Sequence, residues 1–279
     1  MKRLTSINLV FLVLLAAGCG KKAAPPAVPP PALPPVPAVA DPATTLKAPE
    51  LEVVWLDDAK KVKMEFRRIK AGTFTMGAKD GAEEKRLPHS VTLTRDFLMQ
   101  TTEVTQGQWE ALMPSNPSVS RGPWWPVEHV TWLECQEFID KLNLRLTGWV
   151  ASLPTEAEWE YACRAGSMGR WSSGDDARQL LDYAWIEPNS GGKIHPVAQK
   201  KPNAWGLYDM HGNAWEWCQD WYGPFRGDET DPKGPETGVA RCLRGGGRFN
   251  IATQVRSAHS LWCAPDYRME DAGFRVLLR

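Results

Sequence analysis

Neither a net charge nor a long run of one charge sign marks this chain, in which 33 basic residues face 33 acidic ones among 279. Without a basic stripe there is nothing to hold a polyanion, so no nucleic-acid partner is expected. No motif recurs at a fixed period, which excludes a solenoid or a propeller. The histidines, His89, His129, His195, His211 and His259, are dispersed and form neither HxxxH nor a two-His-one-carboxylate pattern. They are therefore assigned to surface or hydrogen-bonding positions rather than to a metal. The Gly-rich basic loop Arg244–Arg248 lacks the strand-loop-helix setting and the GK[ST] ending of a phosphate cradle. It reads as a turn under a cleft, with Arg244, Arg248 and Asn250 as cleft or ligand residues.

No apolar run is long enough to span a bilayer. The longest, Leu9 to Ala17, follows a basic Met1-Lys2-Arg3 and closes on small residues before Cys19, which is how a secretory signal reads. Ala16-Ala17-Gly18-Cys19 resembles the lipobox of bacterial lipoproteins, with Cys19 acylated as the new N-terminus. Residues 1–18 are thus expected to be a lipoprotein signal peptide and residues 19–50 a Pro/Ala-rich tether. Proline fixes φ and favours extended polyproline II, so this segment would hold a domain away from the membrane without folding itself. The expected location is a bacterial cell envelope, through a lipid anchor. Gly20 is not the aspartate that retains lipoproteins at the inner membrane, so an outer-membrane location is expected if the envelope is double.

Residues 51–279 suffice for one large domain with its own core. Three helix starts carry a threonine followed three residues on by a side chain that reaches back: Thr105 with Gln108, Thr131 with Glu134, Thr155 with Glu158. Behind the second, Cys135, Phe138, Ile139, Leu142 and Leu146 keep the spacing of one buried face; behind the third, Trp159, Ala162 and Cys163 do so over a shorter run. Glu156, Glu158 and Glu160 read as cap and solvated face. Strand signals are short: Gly72–Gly77, Val91 with Leu93, and Phe274, Val276, Leu278 in alternation. Turn residues dominate between Ala165 and Ala204. The class is α+β, low in regular secondary structure, and fourteen tryptophans are available to fasten the loops.

The stretch NAWGLYDMHGNAWEWCQDWYG (Asn203–Gly223) interleaves large rings with carboxylates and glycines. Calcium takes six to eight oxygen ligands from carboxylates, amides and carbonyls, and glycine lets a backbone turn its carbonyls inward. Asp209, Gly212, Asn213, Ala214 and Glu216 supply that mixture. The spacing is not that of an EF-hand, and from spacing alone a plain turn with solvent-facing acids is an equal reading.

In order along the chain, Gly72-Thr-Phe-Thr-Met-Gly77, Glu103-Val-Thr105, Pro126–Trp132, LPTEAEWEYACRAG (Leu153–Gly166), Asn203–Gly223, Arg244-Gly-Gly246 and Gly273-Phe-Arg-Val276 resemble the formylglycine-generating enzyme family, also called sulfatase-modifying factors. The resemblance covers nearly all of residues 63–279. It implies a single α+β domain of the formylglycine-generating-enzyme fold, related to C-type lectins and often holding calcium. It maps a calcium site onto Asp209, Gly212, Ala214 and Glu216; the family's other calcium site, where Trp185-Ile186 stands here, is not carried over.

The family's activity, oxidation of a sulfatase cysteine to formylglycine, uses oxygen and a copper ion held by two cysteine thiolates shortly after Arg-Gly-Gly-Ser. Soft thiolates suit Cu(I). Here Arg244–Ser260 contains no cysteine and Gly247 stands where the family has serine, so copper is not expected. Cys242 and Cys263 flank the altered segment as candidates for a relocated metal pair, with a disulfide or plain burial as the blander alternatives; Cys135, Cys163 and Cys218 complete the cysteines after Cys19. The expected function is that of a tethered exported module binding a peptide or glycan, or of a divergent enzyme. The alternative is a formylglycine-generating oxidase that matures exported sulfatases.

Overall fold

A computed structural model describes residues 50–80 and 86–279. The signal peptide, Cys19 and the tether lie outside the described residues. Among the described residues no helix is long and apolar enough to cross a membrane.

The described residues open with β1 (Leu51–Trp55), β2 (Lys63–Ile69), β3 (Gly72–Met76), β4 (His89–Leu93) and β5 (Phe97–Gln100). Helices α1 (Gln106–Glu110) and α2 (Trp132–Asn143), strand β6 (Ala151–Ser152) and helix α3 (Glu156–Arg164) follow. Two single-turn helices, α4 (Ala177–Leu180) and α5 (Glu187–Ser190), interrupt the turn-rich stretch. The remainder holds β7 (Trp215–Trp221), β8 (Glu229–Thr230), β9 (Arg241–Arg244), β10 (Ser260–Cys263), β11 (Ala272–Gly273) and β12 (Leu277–Leu278). The strands form three sheets, ordered β1-β2-β5-β12-β6, β10-β9-β7-β11 and β3-β4-β8. The class is α+β, as the sequence implies.

All three expected helix starts carry a complete capping box. Each threonine oxygen accepts the N–H three residues on, and the Gln or Glu there accepts the threonine N–H in return, satisfying two donors the helix cannot satisfy itself. On α2 the face Cys135, Phe138, Ile139 and Leu142 is buried, and Leu146 packs against the same core beyond the helix end. The C-terminal alternation holds: Phe274, Val276 and Leu278 share one core cluster while Leu277 faces the other, although only Leu277–Leu278 pair as a strand, inserted between β5 and β6. This central strand is buried on both faces and so has no solvent-facing side.

The first core cluster centres on Trp109, stacked on Phe138 at 5.5 Å, with Phe274 edge-on to both at 6.1 and 5.4 Å. The second lies between α3 and β7/β9 and includes Trp159, Leu207, Met210, Cys218 and Cys242. Truncating a buried ring of this size costs about 3–5 kcal/mol. The tryptophan N–H groups also fasten loops: Trp109 donates to the Ser115 carbonyl (2.7 Å), Trp132 to Cys218 (3.0 Å), Trp171 to Ala252 (3.1 Å) and Trp217 to Val130 (3.0 Å).

Candidate functional site

The turn ahead of β7 is held by three successive devices. Asp209, Gly212 and Asn213 all have positive φ (55°, 79° and 60°), and at Gly212 a Cβ would meet the Trp185 carbonyl oxygen at 2.1 Å, so glycine is required there. The Asn213 N–H donates to that same carbonyl (2.8 Å). The Asn213 amide then ties two segments together: its Nδ2 donates to Glu103 Oε1 (3.0 Å) and its Oδ1 accepts the His195 N–H (3.0 Å).

This turn gathers three buried carboxylates, Glu103, Asp209 and Glu216, around one buried guanidinium, Arg275. Glu216 is already well occupied: Arg275 donates to both its oxygens at 2.6 Å, and Trp159 Nε1 donates to Oε2 at 2.6 Å. Asp209 Oδ2 accepts the Ala198 N–H (2.7 Å), while Asp209 Oδ1 and Glu103 Oε2 have no partner. Burial, with the charges of Asp209 and Glu216 beside it, pushes Glu103 well above the usual carboxylate range. Burial likewise lifts Asp209 to about 6. A hard divalent cation fits this deficit of positive charge, with the free oxygens of Asp209 and Glu103 nearest to hand. No three His, Cys, Asp or Glu side chains among the described residues already form a metal cage. Main-chain carbonyls such as those of Gly212 and Ala214 would have to complete the set. Glu103 entered the sequence reading only as part of its motif; a buried acid two positions before a helix cap carries no local signal.

Arg244 is a correction. Expected in the cleft, it is fully buried, with ion-pair contacts of 3.0 Å to both Glu156 and Glu160 and a 2.9 Å bond to the Ser257 carbonyl. Glu156 and Glu160 are corrections too, since neither faces solvent. Arg86 pairs with Glu156, and Arg164 donates to Glu160 Oε1 through Nε and Nη2 (2.9 and 2.7 Å). Burial disfavours the Glu156 anion, yet Arg244 and Arg86 outweigh it and hold the carboxyl at about 2. This lattice ties α3 to β9; Glu158 alone plays the expected capping part.

Cys242 and Cys263 cannot act as a pair. Cys242 is the ladder partner of Trp262 and Cys263 that of Arg241, so the two thiols leave opposite faces of the β9-β10 ribbon. They pack accordingly, Cys242 in one core cluster and Cys263 against the other. All five cysteines among the described residues are free thiols. Burial pushes Cys242 up, with Glu156 and Asp220 adding to it, so it stays a thiol.

The loop after β9 carries Arg248 and Asn250, the other two residues expected to line a cleft, and Arg248 is buried. The Arg248 N–H donates to the Asn213 carbonyl (3.0 Å), and the Arg248 carbonyl accepts Ser190 Oγ (2.8 Å). The Asn250 amide is spent locally, accepting the Gly247 N–H (2.7 Å) and donating to Gln254 (3.2 Å). Arg248 Nη2 reaches Glu270 at 2.8 Å, with its guanidinium 4.4 Å from the Phe249 ring centroid. A Cβ at Gly247 would lie 2.1 Å from Asp271 Oδ2: a carboxylate that sequence reasoning did not single out occupies the hollow beside this glycine.

The model of the sulfatase-modifying factor enzyme 1-like domain matches residues 56–279. A formylglycine-generating enzyme of Streptomyces coelicolor is 33% identical over 190 residues, covering 62% of this chain and 58% of that protein. A chaperone protein, LppX of Paenibacillus barcinonensis, is 31% identical over 207 residues, covering 57% of this chain and 71% of that one. The solved structure of variable protein 1 from Treponema denticola superposes with a TM-score of 0.77 at 30% identity, over 83% of this chain and 99% of that one. The chain spans about 58–60% of the length of the first formylglycine-generating enzymes it matches.

Proposed function

The chain belongs to the sulfatase-modifying factor family, and from that premise we propose that it is an exported, membrane-tethered member in which the scaffold is kept for binding a peptide or glycan and the copper-cysteine oxidase centre is absent. One observation carries this reading: the segment after Arg244-Gly245-Gly246 has no thiol, and the two cysteines that flank it point to opposite faces of their ribbon. Two thiolates must converge to hold Cu(I), so the residues present do not fit copper, and no oxidative step is derived through it. Relatives named as a chaperone and as a variable protein support a scaffold that serves in roles other than cysteine oxidation.

The oxygen donors of the turn before β7 suit calcium, since Glu103 Oε2 and Asp209 Oδ1 are buried without partners. Asp209, Glu103 and the carbonyls of Gly212 and Ala214 would hold it, with Glu216 as a further acidic neighbour, and its part would be structural, neutralising the buried acids of the turn. The anchor through Cys19 and the extended tether would place the domain at the envelope surface, within reach of exported partners.

The second reading, a formylglycine-generating oxidase, is favoured by the 33% identity to the Streptomyces coelicolor enzyme. Metal analysis of the purified chain and oxygen uptake with a peptide bearing a sulfatase cysteine motif separate the two. No stoichiometric copper and no aldehyde in the peptide by mass spectrometry are expected. Thiol-bound copper with turnover would replace the binding reading by the oxidase.

A further inference from the structure

We propose that the cavity between the end of β4, the start of α3 and the loop after β8 binds the carboxylate end of a peptide whose last side chain is aliphatic. The cavity shares no lining residue with the turn before β7 or the loop after β9, so the inference goes beyond the binding-module reading and does not rest on it.

The cavity has a volume of about 470 Å³, within the range of small-ligand sites. Its apolar surface comes from Leu93 at the end of β4, Leu153 between β6 and α3, and Pro232 after β8. Leu93 and Leu153 are 3% and 1% exposed and belong one to each main core cluster, so packing fixes this floor. The walls are fixed too. Asp231, at positive φ (47°), accepts the Thr94 N–H (2.8 Å) and the Thr94 hydroxyl, which fastens the loop after β8 to the end of β4. Glu158 accepts the Thr155 N–H (2.8 Å) and pairs with Arg279.

The lining has donors to spare and no free carboxylate oxygen. Asp231 and Glu158 are engaged through both of their oxygens by the contacts just given. Arg95 and Lys233, by contrast, line the cavity with neither a hydrogen bond nor an ion pair among the described residues. The Gln219 side-chain amide accepts from Gln136 (3.3 Å) but donates to no described group, and Thr155 Oγ1 accepts the Glu158 N–H (3.2 Å) with its own proton uncommitted.

The charges add to the argument. Three cationic side chains, Arg95, Lys233 and Arg279, face the two carboxylates. Burial disfavours the Asp231 anion, yet the Thr94 hydroxyl and N–H, and then Arg95 and Arg279, outweigh it and hold the carboxyl below its usual range. One positive charge is therefore left without a partner near neutral pH. The Arg279 main-chain oxygen does not supply one to the cavity, since it accepts the N–H of Val150 (2.8 Å), a residue outside the lining.

A carboxylate matches this remainder: it carries one negative charge, and guanidinium, ammonium and hydroxyl donors all suit its oxygens. A phosphate monoester would bring nearly two charges, and a basic side chain would meet the excess of its own sign. The apolar floor beside the donors selects further. The last residue of a peptide presents an alkyl group on the carbon that bears the carboxylate, whereas a sugar acid would bury hydroxyls against leucine.

The test uses the full chain in detergent at low ionic strength, with two pools of acetylated pentapeptides, degenerate except for a final Leu, one ending in a free carboxylate and one amidated. Retention of the free-acid pool about tenfold or more above the amidated pool is expected. Arg95→Ala and Lys233→Ala, both at exposed side chains, should each weaken that retention severalfold with Tm unchanged. Lys193→Ala, the same loss of charge at an exposed lysine outside the lining, should leave it intact. Equal retention of the two pools, retention of neither, or a preference unchanged in both Arg95→Ala and Lys233→Ala overturns the proposal. Glucuronate and inorganic phosphate serve as competitors: either one displacing the free-acid pool at lower concentration than acetyl-leucine would put a sugar acid or a phosphate in place of the peptide end, and so overturn it as well.

Discussion

At Gly247 the family's serine and this chain's Asp271 compete for the same space. A Cβ there would lie 2.1 Å from Asp271 Oδ2 and 3.1 Å from the Trp215 ring, so Gly247→Ser must displace a buried carboxylate or the ring beneath it. It is expected to lower stability by about 1–3 kcal/mol, whereas Gly247→Ser with Asp271→Ala should recover much of the loss. A coupling of about 0.5–3 kcal/mol in urea melts of the four proteins would be its measure; strict additivity would show that the two side chains do not share the hollow. Asp220 offers a second case, read through pH. Burial and the Glu156 charge push it up to about 8, well above its unfolded value near 4. The folded form therefore binds the proton more tightly. Its stabilising share is complete below the unfolded value and is lost as pH rises through the folded one. Asp220 Oδ2 accepts the Glu156 N–H at 2.7 Å, a bond that asparagine can keep. Asp220→Asn is expected to raise Tm at pH 9 and to change it little at pH 5. A pH-independent difference would mean that Asp220 is ionised in the fold throughout.

At the scale of elements, the three helices were legible because their signals are local. Thr155 and Glu158 satisfy each other's backbone N–H groups at 3.2 and 2.8 Å, and both residues sit within four positions of one another. Thr155→Ala removes one side of the box and should cost about 1 kcal/mol, seen as a lower Tm with the far-UV spectrum unchanged; an unshifted Tm would show that packing alone sets the start of α3. What the local pattern hid was the far side of the same helix. Glu156 and Glu160 looked solvated because they are charged, but their partners Arg86 and Arg244 arrive from 70 and 84 residues away. Arg164, one turn beyond Glu160, lay within a helical window, but nothing there announces Arg86 or Arg244, and a buried charge is tolerated only when partners are present. The terminal alternation was legible, since Phe274, Val276 and Leu278 do share one core cluster; that Leu277 is buried too, against the other cluster, was not, because periodicity reports one-sided burial only.

Across the whole molecule, the motifs that made the family legible are those that fasten distant loops together, and the turn before β7 is the clearest of them. Asn213 donates to Trp185 and Glu103 and accepts from His195, Asp209 accepts from Ala198, and Arg275 near the C-terminus closes on Glu216. The segment from Trp185 to Ala198, poor in periodicity, therefore depends on this turn rather than on a ladder of its own. The asparagines and glycines of the turn could be read from the sequence; the orphaned oxygens of Glu103 and Asp209 could not, because orphanhood is a property of the assembled neighbourhood. If calcium neutralises those acids, a ligand present at a hundred times its dissociation constant stabilises the fold by about 2.7 kcal/mol. In a domain of this size each kcal/mol moves Tm by roughly 2–4 °C, so a chelator should lower Tm by roughly 5–10 °C, and added calcium should restore it. Asp209→Ala is expected to lower the starting Tm and to abolish the response to both reagents, while Asp182→Ala, at an exposed aspartate outside the turn, should leave the response intact. Melting curves that coincide with and without chelator would mean that protonation of Glu103 and Asp209, rather than a metal ion, settles the charge of the turn.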